Sequence, residues 1–510
     1  MRAGVIDIGS RSIKLVIAES GESDIIVLES LKNVVPIAND TFLKNQISQA
    51  TINQTVTVLE KYQQILKDYD VPTVSVIATT AVREARNRDI FVDTMRRKTG
   101  LDIEILTVGD IVYYIDAYLA HRLKDTYPIH EKNLFIAELG SGNLDISVMK
   151  RGFTLMNMGL PLGTLRLKQL MSSFSGSLAE TFEAVTEYIA NEFSYLERSI
   201  PRTNIDDIIL IDENYSSYLH NIIPDITKDE KFYQLSIENS QNMLKQVADK
   251  TPREIARAFK VPLDVADTII AYAIILNIFF TLTQNKSLYV LETSLSEALL
   301  ANILLELELA KKYDRLNQLT SVARSICQKY RVDLPHAEYV ARMSAVLFEN
   351  LHAQLGLDKA SLQYLTLAAY LHDIGMFIHN RAHHKHSEYI ITSLNLSRLT
   401  AAEITIIACI ARYHRKAIPS ESHLTYASLP VDKKILVQKL SALLRIANAL
   451  DRSHKQKFKK LEIKTKPNHD IHLIAQSQES NCILEQNDFR DKKGLFEEIT
   501  GNRISLLTQG

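Results

Sequence analysis

The sequence predicts an α/β chain made of two copies of one lobe, followed by a helical domain and a small α+β domain. Three observations predict it. A strand, a glycine turn and a second strand open the chain at 4–16, and the same unit returns at 134–149. Short apolar runs alternate with amphipathic stretches of helical period up to about residue 312, which builds sheets covered by helices. The strand signals then stop, and only 460–510 returns to alternation. The expected boundaries are 1–127 and 128–312 for the two lobes, 313–455 for the helices and 456–510 for the tail. At 510 residues the chain is too long for a single core.

The first unit places Asp7 among apolar residues, then turns through Gly9, Ser10, Arg11 and Ser12. Backbone amides in a concave turn bind anions, and a carboxylate beside them holds a metal or a water. The competing reading is an ordinary hairpin with a polar turn. A strand at 25–28 follows. Val56, Leu59, Tyr62, Ile65 and Leu66 recur at helical spacing across 51–68. A buried strand at 74–78 runs into Thr79 and Thr80, either of which can cap a helix. A helix over 89–99 stops at Gly100, a strand is expected at 103–108, and a helix at 110–123. The second unit has a strand at 134–138, the turn Gly140, Ser141, Gly142, and a strand at 144–149. A turn at 160–164, helices to 198, strands at 208–211 and 287–291, a buried helix at 271–282 and a helix at 295–312 complete that lobe. The helices of 313–455 carry ten of the chain's 15 histidines. In the tail, Leu461 and Ile463 with Ile471, Leu473 and Ala475 predict a hairpin, followed by a helix near Leu495 and a strand at 504–507.

The totals exclude several classes. A formal net charge of -1 gives no argument for a nucleic-acid partner, so any anion site must be local. Cys327, Cys409 and Cys482 are widely spaced, which suits a reducing cytoplasm and argues against a disulfide framework or zinc ribbon. No signal peptide and no membrane-spanning run is expected.

Four segments in order, 4–16, 78–87, 160–167 and the His-Asp region that follows, resemble the Ppx/GppA family of exopolyphosphatases and guanosine pentaphosphate phosphatases. The resemblance implies two duplicated actin-like (ribonuclease H-like) lobes, then an all-α HD-like domain and a small α+β C-terminal domain. It implies a cytoplasmic hydrolase that cuts phosphoanhydride bonds of polyphosphate or guanosine pentaphosphate, with Mg2+ or another divalent cation, as a homodimer. Carried over residue by residue, Asp7, Gly9, Ser10 and Ser12 match the first phosphate-binding turn, with Arg11 where the family usually has Asn. At Arg11 the alternatives are a phosphate contact and a solvated turn residue. Thr80 and Arg83 match positions lining the phosphate site. Gly140, Ser141, Gly142 and Asn143 match the second phosphate loop, flanked by the acids Glu138 and Asp145.

The departures fall at the same site. The family's catalytic glutamate position holds Ile111, which cannot activate water, and Asp110 is the adjacent carboxylate. The expected catalytic set is therefore Asp110, Glu138 and Asp145. A third glycine-rich loop is replaced by Asp212, Glu213 and Asn214, and an acidic loop repels a phosphate chain. The resulting alternative is an impaired family member that binds polyphosphate or a nucleotide as a sensor. His336, His372 and Asp373 resemble the start of an HD-domain metal site, with His384 and His386 as possible additions. Its distant Asp is Asn448 here, with Asp451 three residues on.

Overall fold

A computed structural model describes residues 1–22, 24–200, 204–212, 215–224, 226–228, 232–283, 287–305, 315–394, 396, 399–466, 470–477 and 481–509. The chain divides into two compact units, Met1–Asp314 and Arg315–Gly510.

The first unit contains two sheets. One is formed by β1 (Arg2–Ile8), β2 (Ser12–Ser20), β3 (Ile25–Val34), β4 (Thr73–Ala78) and β5 (Glu104–Ile105), in the order β3-β2-β1-β4-β5. The other is formed by β6 (Asn133–Leu139), β7 (Leu144–Lys150), β8 (Phe153–Leu160), β9 (Asp207–Ile211), β10 (Thr227–Lys228), β11 (Phe232–Ser236) and β12 (Ser287–Leu291). Its order, β10-β11-β12-β9-β6-β7-β8, contains the first sheet's pattern read as β8-β7-β6-β9-β12. The directions match too. β1 pairs antiparallel with β2 and parallel with β4, as β6 does with β7 and β9. The repeat expected from two glycine turns is therefore a repeat of whole lobes.

Several expected elements differ. The strand at 103–108 shrinks to Glu104–Ile105, because Thr107 caps a helix that already begins at Val108 and runs to Arg122. β3 runs on to Val34, and β8, β10 and β11 were not expected. β8 reads Phe-Thr-Leu-Met-Asn-Met-Gly-Leu, poor in β-branched residues, and it forms because β7 offers it an edge. The helix from Leu295 is described to Leu304, and 306–312 lie outside the described residues, as do Glu213 and Asn214. The apolar helix Ile269–Thr283 is buried in the second lobe's core, and among the described residues no helix is long and apolar enough to cross a membrane.

Asp116 ties the helix Val108–Arg122 to the second sheet. Its carboxylate accepts from Ser147 Oγ on β7 (3.1 Å) and Thr154 Oγ1 on β8 (3.2 Å) in a buried setting. Burial pushes its pKa up to about 7, and the two hydroxyls only partly offset this. The folded state therefore holds the proton more tightly than the unfolded state. This contribution to stability is complete below the ordinary value of 3.8 and is lost as pH rises through about 7. Asp116→Asn keeps a partner for each hydroxyl and removes the charge. It is expected to stabilise the protein above pH 7 by on the order of 4 kcal/mol, read from urea unfolding across a pH series. An unchanged pH dependence would show that Asp116 does not titrate there.

In the second unit, the helices and the sheet of β13 (Phe458–Thr465), β14 (Ile471–Ser477) and β15 (Ile504–Gln509) share one core. Phe458, Leu473 and Ile504 sit in it with Leu347, Leu371 and Leu443. β13 and β14 form the expected hairpin, and β15 adds to β14 in parallel.

Candidate functional site

The two glycine turns of the first unit face one pocket. Asp7, Gly9, Ser10, Arg11, Ser12 and Thr80 line it from the first lobe, and Glu138, Gly140, Ser141, Gly142, Asn143 and Asp145 from the second. The turns have the same construction. Gly9 N donates to Ser12 O and Gly140 N to Asn143 O, both at 3.0 Å. Their carbonyls are anchored behind: Ser10 O accepts from Ala38 N (2.9 Å), and Ser141 O from Leu165 N (2.9 Å). Among the described residues the amides of Ser10, Arg11, Ser141 and Gly142 find no backbone acceptor. Donors left open in a concave turn are what a phosphoryl oxygen needs.

The turns meet at Gly142. A Cβ there would lie 2.6 Å from Ser10 Oγ and 3.2 Å from Thr80 Cβ, so any side chain would wedge the lobes apart. Arg166 fixes the same turn from behind. Its Nε donates to Gly142 O (3.0 Å), Nη2 pairs with Glu84 (2.7 Å), and the guanidinium lies 3.9 Å from the Phe42 ring centroid.

Three expected residues are placed elsewhere or otherwise engaged. Asp110 does not line the pocket: its carboxylate accepts from Thr107 N (2.9 Å) and Thr107 Oγ1 (2.7 Å) as half of a capping box. Ile111, the next residue, does line the pocket, buried and apolar. Arg83 stands behind the lining, donating to Leu106 O (2.7 Å) and Thr80 Oγ1 (3.1 Å). Arg11 lines the pocket, and its guanidinium also pairs with Asp264 Oδ2 at 2.6 Å.

Asp145 is buried and accepts from Asn143 Nδ2. Burial raises its pKa to about 6, against the pull of the Arg83 charge and the Asn143 hydrogen bond. Two pocket residues escaped sequence reading. Lys14 and Lys32 line it from β2 and β3, in register with each other, and Lys14 is in register with Asp7. Nothing local marks a lysine on a strand as facing a ligand, and the sheet register alone brings this row together.

In the second unit the expected metal residues do converge, with different companions. His336 Nε2 is 4.0 Å and His372 Nε2 3.5 Å from Asp373 Oδ2. Among the described residues the triples whose donor atoms come together are His336, Asp373, His454 and Asp373, His383, His414, and His372 belongs to neither. His384 and His386 also stay outside them, because the helix His383–Ser393 turns His383 inward instead. Asp451 supports from behind, its Oδ2 bonded to His336 Nδ1 at 2.8 Å. Burial pushes His372 down to about 4.

The family model described as the Ppx/GppA phosphatase family matches residues 16–307, and that of Ppx/GppA phosphatase domain III matches 319–493. A guanosine-5'-triphosphate,3'-diphosphate pyrophosphatase of Pseudoalteromonas translucida is 22% identical over 455 residues, covering 87% of this chain and 86% of its own length. One from Aliivibrio fischeri is 22% identical over 454 residues, covering 87% and 85%. Among solved structures, the Aquifex aeolicus Ppx/GppA family member aligns with a TM-score of 0.52 at 20% identity, over 60% of this chain and 98% of that one. An exopolyphosphatase from Cytophaga hutchinsonii aligns with a TM-score of 0.52 at 20% identity, over 60% and 99%. These structures support the two-lobed actin-like fold of the first unit.

Proposed function

The chain belongs to the Ppx/GppA phosphatase family, and on that premise we propose that its cleft binds the end of a phosphoanhydride chain and hydrolyses the terminal anhydride. The substrate class is inorganic polyphosphate or guanosine pentaphosphate. The facing pair of turns carries this reading, because open amides at Ser10, Arg11, Ser141 and Gly142 meet over a pocket rimmed by Lys14 and Lys32. Amides orient the end group, and the lysines offset the charge of the chain.

The pocket's acids fit a hard cation. Asp7, Glu138 and Asp145 offer oxygen donors only, and Mg2+ is commonly held by one or two carboxylates together with substrate phosphates. Asp7 and Glu138 would hold it, and when bound it neutralises charge on the phosphoryl oxygens. Asp145 is the carboxylate for orienting the attacking water, since a base with a pKa near 6 is ionised at neutral pH yet still takes a proton.

The test is phosphate release from long-chain polyphosphate by the full chain with Mg2+. Asp145→Asn is expected to lower release about 100-fold with polyphosphate binding retained. Release by the unaltered protein should fall as pH drops through about 6, where Asp145 gains its proton. Ile111 favours a second reading, a polyphosphate or nucleotide sensor, for which binding without release is the signature. Absence of binding to both polyphosphate and guanosine pentaphosphate would sink both.

A further inference from the structure

The second unit holds a cluster that the cleft chemistry does not use. His372 Nδ1 faces Ala369 O at 2.7 Å, His383 Nδ1 faces Asn380 O at 3.0 Å, and His414 Nδ1 faces Ala411 O at 2.7 Å. A ring nitrogen facing a carbonyl carries the proton, so in the neutral imidazole the other nitrogen, Nε2, presents a bare lone pair. At His383 the carbonyl is closer than the Arg415 guanidinium, which lies 3.5 Å from Nδ1. The bare Nε2 atoms then converge on a carboxylate. His383 Nε2 is 3.1 Å and His414 Nε2 3.5 Å from Asp373 Oδ1, and the two Nε2 atoms are 3.1 Å apart. His372 Nε2 and His336 Nε2 are buried without hydrogen-bond partners beside the same carboxylate. Acceptors packed against acceptors in a buried site repel, unless a cation lies between them.

The spacing identifies the kind of cation. Nitrogen and oxygen ligands at about 2.0–2.1 Å in a tetrahedral arrangement stand about 3.3 Å from one another. The three donor separations here, 3.1, 3.1 and 3.5 Å, match that figure. Two imidazoles and one carboxylate suit zinc-type transition metals, whereas Mg2+ prefers oxygen ligands and octahedral geometry. The carbonyls behind each ring fix the tautomer, as outer partners of metal-binding histidines do. Gly375 allows this packing, since a Cβ there would overlap the His383 carbonyl and the Ser387 amide.

The cluster borders a cavity. Asp373, His383 and His414 form one wall of a cavity of about 230 Å3, whose other walls include Arg415, Arg452 and Lys492. Lys492 is paired with Asp488 at 2.7 Å, and among the described residues Arg415 and Arg452 have no carboxylate partner. Guanidiniums lining the cavity that a bound metal would border select a phosphate-type oxyanion.

We propose that Asp373, His383 and His414 bind one zinc-type transition-metal ion, and that its open position takes a phosphate-type oxyanion held by Arg415 and Arg452. This site is separate from the proposed polyphosphate cleft in ligand chemistry and in compact unit.

Co2+ is the probe. The full chain, stripped with chelator, reloaded with Co2+ and desalted, should retain about one ion with the visible absorption of a tetrahedral complex. A large excess of Mg2+ should not displace it. His383→Ala and His414→Ala should each lower retention at least tenfold. If those variants misfold, the unaltered protein still decides: Co2+ should raise its unfolding temperature and Mg2+ alone should not. Inorganic phosphate should shift the Co2+ absorption, and Arg415→Ala with Arg452→Ala should weaken that shift about tenfold. Failure to retain Co2+, or equal retention by the folded histidine variants, overturns the metal site. A bound ion whose spectrum ignores phosphate overturns the oxyanion assignment.

Discussion

Ile111→Glu is expected to raise phosphate release from polyphosphate by about 100-fold, at the lower end of what a positioned general base contributes. Ile111 sits in the first turn of the helix Val108–Arg122, and its side chain is part of the pocket wall. Its neighbour Asp110 has the right chemistry in the wrong direction, because one residue along a helix is a rotation of about 100°. Asp110 is also committed to the cap with Thr107. A glutamate at 111 would enter a wall 3% exposed, in a pocket that already holds Asp7, Glu138 and Asp145. Burial and like charge both raise its pKa toward the range useful to a general base. Burying the polar group costs about 1–3 kcal/mol of stability, which the first unit has to absorb. The comparison is made with Asp145→Asn in the same background. If the added glutamate and Asp145 share the work of orienting water, the double variant retains more release than Asp145→Asn alone. Unchanged release from a folded Ile111→Glu protein that still binds polyphosphate would exclude this wall from the chemistry.

Gly163→Ala is expected to disrupt the cleft and to lower the stability of the first unit by about 1–3 kcal/mol or more, the range for overpacking. Gly163 precedes the helix Thr164–Ser173 with ordinary φ of -62°, so its backbone tolerates alanine. Space does not. A Cβ would overlap the backbone of Gly142 and Asn143, which has no rotamer to move. The second glycine turn would have to shift as a unit, breaking the bonds from Thr164 N to Gly140 O and from Leu165 N to Ser141 O. The expected readout is loss of polyphosphate binding together with a lower urea midpoint. Retention of both would mean that the turn moves freely and does not define the pocket.

Much of the first unit is legible locally. Gly9 and Gly140 close turns whose partners lie three residues away, so the residues themselves announce the repeat. The near-continuous burial of β1, β6 and β9, and of the second half of β4, is likewise written in short apolar runs. β8 was illegible because it depends on the edge of β7 rather than on its own residues. In the site, Asp7, Ser10, Gly140 and Gly142 were readable from their turns. Lys32 was not, because it reaches the pocket only through the pairing of β3 with β2, where Lys14 faces Lys32. A slip of one residue in that register would turn the lysine to the other face.

The histidines show the same division. Sequence alone singles out His372 and Asp373 by adjacency, and the run from 379 to 386 by density. It cannot rank His383 above His384, since neighbouring helical positions point about 100° apart and only packing says which points inward. Ala382, with φ of 59°, sets the start of that helix and with it the direction of His383. His414, more than thirty residues on, joins through a helix packed against it. By itself the sequence determined the two strand, glycine turn and strand units, because each rests on contacts within a few residues. Tertiary structure alone decided that Ile111 lines the pocket and that His383 and His414 meet Asp373. Those outcomes depend on strand register and helix packing between segments far apart in the chain.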